Sequence, residues 1–135
     1  MWGVAGLRVL RLANPVVRRV LDSRAHPLLS GRLVVLAYRG RRTGRQLRIP
    51  LRYAETRDGA LVAVAVEPEG KQWWRTFADE APAAVRLRGT EVAVRGRLAA
   101  GDRRGSALEA YLDRYPRSRR LTRDAAVVVL EPVNG

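Results

Sequence analysis

Apolar residues along this chain fall into short runs with the two-residue period of strands, punctuated by glycine and proline. Residues 33–38 (LVVLAY) are aliphatic and β-branched with no charged member, which predicts a strand buried on both faces. Residues 47–53 (LRIPLRY) alternate apolar and basic, so one side should be buried and the other wet or ligand-facing. Pro50 cannot donate to a ladder and therefore marks a bulge or an edge position. The link between the two runs, Gly40-Arg41-Arg42-Thr43-Gly44, is too short for a helical crossover, and the pair reads as an antiparallel hairpin. Asp58-Gly59 then turns the chain into a third strand over 60–66.

Glu67-Pro68-Glu69-Gly70 breaks this sheet. Residues 71–78 (KQWWRTFA) read as a short helix with Trp73 and Phe77 on one face at i and i+4. Alternation returns at 83–88 and 91–98, with Gly89-Thr90 as the turn of a second hairpin. A helix is predicted over 103–115, its apolar face made by Ala107, Leu108, Tyr111 and Leu112. A last apolar strand covers 125–130 and stops at Pro132. Before all of these, residues 1–24 form an N-terminal helical segment, with Asn14-Pro15 as a break and restart. The expected fold is mainly β, within the α+β class: one globular domain with its barrel over 25–135. It has about six antiparallel strands in two meanders, closed to remove their edges, with a short tryptophan-bearing helix and a helix before the last strand.

Composition narrows the chemistry. The 135 residues suit one domain with a real core, and the absence of cysteine excludes disulfides and thiol catalysis. One histidine and no cysteine leave little from which to build a transition-metal site. The 26 basic residues against 13 acidic ones favour an anionic partner. Lys71 is the sole lysine. No run is long enough to span a bilayer, and the start of the chain has no clear cleavage site, so a cytoplasmic protein is expected. Residues 2–12 carry apolar positions beside Arg8 and Arg11, and either pack across a barrel mouth or lie on the inner face of an anionic membrane.

The turn at 40–44 has chemistry of its own. Its glycines allow backbone angles that expose successive N–H groups, Arg41 and Arg42 add guanidinium forks, and Thr43 adds a hydroxyl. Such a turn either cradles an anion or is a plain solvated turn in an arginine-rich chain.

The strand order and three motifs together resemble the deazaflavin-dependent nitroreductase family, split β-barrel oxidoreductases many of which use coenzyme F420. The motifs are the segment from Leu36 to Gly44 followed by Pro50, Leu51 and Tyr53; the third strand followed by Lys71-Gln72-Trp73-Trp74-Arg75-Thr76-Phe77; and the ending Val127-Val128-Val129-Leu130-Glu131-Pro132. The resemblance covers residues 15–132. It implies that Arg41, Arg42, Thr43 and Gly44 hold the coenzyme's phosphate. It also implies that Pro50 and Ala65 line the deazaflavin ring, and that the helix with Lys71, Trp73 and Thr76 closes the pocket. Trp74 and Tyr115 would then face a hydrophobic electron acceptor, such as a quinone, to which the reduced coenzyme passes a hydride. The chain departs from the family at Thr76, where asparagine is usual, in the Glu67–Gly70 stretch, and in having Tyr115 alone where several members carry more tyrosines.

Two other readings compete. One is a split barrel holding flavin mononucleotide, haem or another ligand without turnover of the deazaflavin. The other is a nucleic-acid-binding module, disfavoured because aromatic residues make up only 6% of the chain and the arginines are scattered. Monomer and homodimer both remain open.

Overall fold

The structure, a computed structural model, describes residues 32–87 and 89–133. The N-terminal helical segment expected over 1–24, with its membrane or barrel-mouth contact, lies outside the described residues. Six strands, β1 (Leu33–Arg39), β2 (Gln46–Glu55), β3 (Leu61–Ala65), β4 (Ala81–Leu87), β5 (Thr90–Leu98) and β6 (Ala126–Pro132), close an antiparallel barrel in the order β1-β2-β3-β6-β5-β4. The two meanders join through the β3–β6 and β1–β4 pairs. The mainly-β barrel and its strand count match the expectation from sequence.

Burial follows the patterning. Val34, Leu36 and Tyr38 of β1 enter the barrel core with Tyr53, Ala63, Val85, Val94, Val128 and Leu130. The alternate residues Val35 and Ala37 are buried too, Ala37 against Ala84 of β4. On β2, Ile49, Leu51 and Tyr53 pack toward the core while Pro50 and Arg52 are exposed. Pro50 pairs with Val35 in an unbroken register, and β3 joins β2 only from Tyr53 onward. Pro50 therefore occupies an edge stretch and no bulge, as befits a residue with no N–H to donate.

A helix α1 (Gly101–Arg114) lies outside the barrel. Asp102 in its first turn and Arg114 in its last complement the helix dipole, and Pro116 follows its end. Its face of Ala107, Tyr111 and Leu112 makes a second core with Ala54, Val62, Val127 and Val129, the outward side of β2, β3 and β6. The short helix expected over 71–78 is a 3₁₀ helix, Trp73–Ala78. Glu67 precedes it in the left-handed region at φ 55°, a conformation that costs a non-glycine residue about 1 kcal/mol or more. The short 3₁₀ turn Pro68–Gly70 follows directly, closed by the Gly70 N–H donating to the Glu67 carbonyl at 3.1 Å.

Burial raises the proton affinity of Tyr38 and Tyr111, in the latter case against the pull of the Arg52 guanidinium. Above pH 10, the ordinary phenol value, an unfolded chain would lose these protons while the folded one keeps them. Fewer protons on the unfolded state means falling stability with rising pH. Urea melts at pH 8 and upward should therefore show a stability plateau that declines past about 10. Tyr38→Phe and Tyr111→Phe should each flatten that decline.

Candidate functional site

The β1–β2 hairpin ends in one turn of helix-like backbone. The Gly44 N–H donates to the Gly40 carbonyl at 2.9 Å, and the Gly40 N–H to the Arg45 carbonyl at 2.8 Å. The two glycines serve different needs. Gly44 sits at φ +70°, which a side chain would strain; Gly40 has an ordinary φ but lies where a Cβ would stand 3.3 Å from Leu47 Cδ1 and 3.4 Å from Thr43 Oγ1. Thr43 Oγ1 accepts from the Arg45 N–H at 3.2 Å, and Arg39 Nη1 donates to the Gly44 carbonyl at 3.1 Å. The N–H groups of Arg41, Arg42 and Thr43 donate to no described residue.

Across from this turn stands the 3₁₀ helix. Arg41 Nη1 donates to the Arg75 carbonyl at 3.3 Å, and Arg41 lies 3.7 Å from Asp79, a pair between exposed side chains that contributes little. The helix is seated by Trp73 and Phe77, whose rings meet edge-on at 6.5 Å, and by Tyr38, tilted 6.3 Å from Phe77. Between turn and helix lies a cleft of about 430 Å³. Tyr38 and Leu47 give it apolar wall; Arg41, Arg42, Thr43, Gln72, Arg75 and Thr76 give it polar wall. Leu47 is 40% exposed although apolar. No carboxylate among the described residues lines the cleft. Three guanidinium groups, two hydroxyls and three N–H groups that engage no described residue, beside apolar surface, are the donor set that a phosphate attached to a flat ring requires. The residues thus fit an anionic ring cofactor.

A larger groove of about 760 Å³ runs between α1 and the β2–β3 turn. Its walls mix arginines with five carboxylates, Glu55 and Asp113 among them, and so suit a polyanion poorly.

The structure brings Arg41, Arg42 and Thr43 together with Thr76, more than thirty residues away in sequence. Gly44 shapes the same turn. The other expected site residues lie elsewhere. Ala65 and Trp73 are sealed in the barrel core, at 0% and 6% exposure. Pro50 lies exposed on the outer side of β2. The Lys71 ammonium is hydrogen-bonded to the Val66 carbonyl, bracing the strained link after β3. Trp74 is half-buried, its indole N–H donating to the Pro68 carbonyl at 2.8 Å and its ring 5.2 Å from the Arg75 guanidinium. Tyr115 packs in the second core, its hydroxyl donating to the Tyr53 carbonyl at 2.5 Å. Tyr38, Leu47, Gln72 and Arg75 line the cleft without having been expected there. Gln72 and Arg75 stand three residues apart, a spacing that makes two side chains neighbours on a helical surface.

A family model described as F420H(2)-dependent quinone reductase matches residues 9–132. A comparison with curated proteins finds no match. Among solved structures, one described as an F420-H2 dependent reductase, FDR-A, is 19% identical with a TM-score of 0.61, over 73% of this chain and 93% of that one. Another, described as a domain-swapped dimer, is 17% identical with a TM-score of 0.65, over 85% and 93%. A protein of unknown function from Agrobacterium tumefaciens is 17% identical with a TM-score of 0.64, over 90% of this chain and 60% of its own. At these identities the structures speak for the shared barrel. The family match, which spans nearly the whole chain and takes in both walls of the cleft, says more: the chain belongs to the F420H(2)-dependent quinone reductase family.

Proposed function

We propose that the cleft between the 40–44 turn and the 3₁₀ helix holds the phosphate-bearing tail of coenzyme F420, and that the acceptor is a quinone or a similar electron-poor ring. The observation that carries this reading is the meeting of Arg41, Arg42 and Thr43 with Arg75 and Thr76 around a cleft that no carboxylate among the described residues lines. When bound, the reduced deazaflavin supplies a hydride to the acceptor. The chain's own part is binding, orientation and exclusion of water. Arg41 and Arg42 neutralise the phosphate, and the N–H groups of residues 41–43 fix its position. Tyr38 and Leu47 offer apolar surface to the flat portion. Arg75 lies between the cleft and the Trp74 ring, so Trp74 is assigned to the acceptor side. No helix among the described residues is long and apolar enough to cross a membrane.

The test is a fluorescence titration of the full chain with oxidised coenzyme F420, with flavin mononucleotide in parallel. Micromolar or tighter binding of the deazaflavin, with the flavin much weaker, is the expected result. Absence of deazaflavin binding, or a clear preference for the flavin, would sink the assignment.

A further inference from the structure

The three guanidinium groups of the cleft differ in what engages them. Arg42 and Arg75 are exposed and form no ion pair with any described residue, and the Arg75 guanidinium lies 5.2 Å from the Trp74 ring. Arg41 is engaged at both terminal nitrogens. Its Nη1 donates to the Arg75 carbonyl at 3.3 Å, and its Nη2 lies 3.7 Å from Asp79 Oδ2. Asp79 is the first residue past the 3₁₀ helix. Its carboxylate is 89% exposed, stands outside the cleft lining and has no other partner among the described residues.

These two nitrogens are a pair that a guanidinium can present to a phosphate in a forked contact. A phosphate that takes both must displace the Asp79 carboxylate and the Arg75 carbonyl. Neither holds Arg41 tightly. The first contact is longer than the usual N–H to oxygen range, the second is beyond hydrogen-bond distance, and an exposed ion pair is weak. Arg41 can therefore change partners with little effect on the fold.

We propose that Asp79 competes with the ligand's phosphate for Arg41 and so sets the selectivity of the cleft for phosphate over carboxylate. An incoming carboxylate is the chemical equal of Asp79, which has the advantage of being tethered beside Arg41. A phosphate monoester brings close to two negative charges and three acceptor oxygens. It can engage Arg41, Arg42 and the N–H groups of residues 41–43 together, which a carboxylate with two oxygens cannot match. An intramolecular rival thus handicaps the wrong ligand more than the right one. The inference rests on the coenzyme reading for the identity of that phosphate.

The experiment uses the full chain. Asp79→Asn removes the charge and keeps the shape. Glu80→Gln removes the same charge one residue on, where the carboxylate is held 2.7 Å from Arg95. Asp79→Asn should tighten coenzyme F420 about two- to fivefold, the worth of an exposed ion pair, and Glu80→Gln should change it little. In an Arg41→Ala background, Asp79→Asn should do no more than Glu80→Gln. Acetate at constant ionic strength should displace the coenzyme more readily from Asp79→Asn than from the native chain. Calorimetric titration with pyrophosphate repeats the comparison without the coenzyme and should show the same gain. Equal gains in Asp79→Asn and Glu80→Gln, a gain that survives Arg41→Ala, or unchanged sensitivity to acetate would each overturn the inference. If the coenzyme binds through Arg41 and Arg42 and Asp79→Asn gains nothing, the competition falls and the coenzyme reading stands. If pyrophosphate responds as expected while the coenzyme does not bind, the competition stands and the coenzyme reading falls. If neither ligand binds, both fall.

Discussion

Replacing Arg41 and Arg42 together by alanine is expected to weaken coenzyme F420 binding by roughly two orders of magnitude while leaving the melting temperature nearly unchanged. Each guanidinium offers charge-assisted hydrogen bonds to phosphate, worth about 1.5–3 kcal/mol apiece, so losing both costs about 3 kcal/mol or more. The fold has little at stake in them. Both residues are exposed, and the Arg41 contacts to Asp79 and the Arg75 carbonyl lie at the surface. Arg42→Lys is expected to fall between, because an ammonium keeps the charge and loses the fork. Salt offers a second reading: affinity of the native chain should fall as salt rises, and that of the double alanine variant should fall less. Coenzyme fluorescence titrations beside thermal melts decide it. An affinity within threefold of the native chain would remove the turn from the site, and the cleft would then lack its phosphate clamp.

The strands were legible because each carries its own evidence. A β-branched run such as 33–38, or the alternation of 47–53, needs no knowledge of its partners. The hairpin turn was legible for the same reason, since its glycines, arginines and threonine are contiguous. Contacts made at long range were not. Tyr38, Leu47 and Arg75 look like core, strand and surface residues until the barrel closes and sets them around one cleft. The short helix was legible too: it is a 3₁₀ helix over Trp73–Ala78, and Trp73 and Phe77 are its buried residues, the pair the sequence set on one face. Gly40 shows a subtler limit. Sequence marks it as permissive backbone, yet its φ is ordinary, and what it supplies is room beside Leu47 and Thr43. The resemblance reached the family, and Ala65 and Trp73, which it sets at the ring and the pocket wall, are buried in the barrel core.

Gly96 is the extreme case, and it carries the other large effect. Nothing in the run 91–98 distinguishes it from a weak point in a strand. In the barrel, a Cβ added there would stand 2.5 Å from Phe77 Cδ1 and 2.8 Å from Leu130 Cδ2. Phe77, which has the largest of the fully buried side chains, therefore fills the space that Gly96 leaves. Phe77→Ala is expected to cost about 3–5 kcal/mol, a third or more of the stability of a typical domain, and to lower the melting temperature by on the order of 10–20 °C. The coenzyme should bind more weakly as well, because the 3₁₀ helix that carries Arg75 and Thr76 loses its anchor. Gly96→Ala alone should cost about 1–3 kcal/mol, since a buried ring held by Tyr38, Trp73 and Leu130 has little freedom to yield. The two changes should not add. With the ring gone, the new methyl enters a void, and Gly96→Ala in the Phe77→Ala background should be neutral or regain stability, a coupling of at least about 1 kcal/mol. Urea melts of the four proteins complete the cycle. Strict additivity would mean that Phe77 and Gly96 do not share this space, and the seat assigned to the cleft's far wall would have to be sought elsewhere.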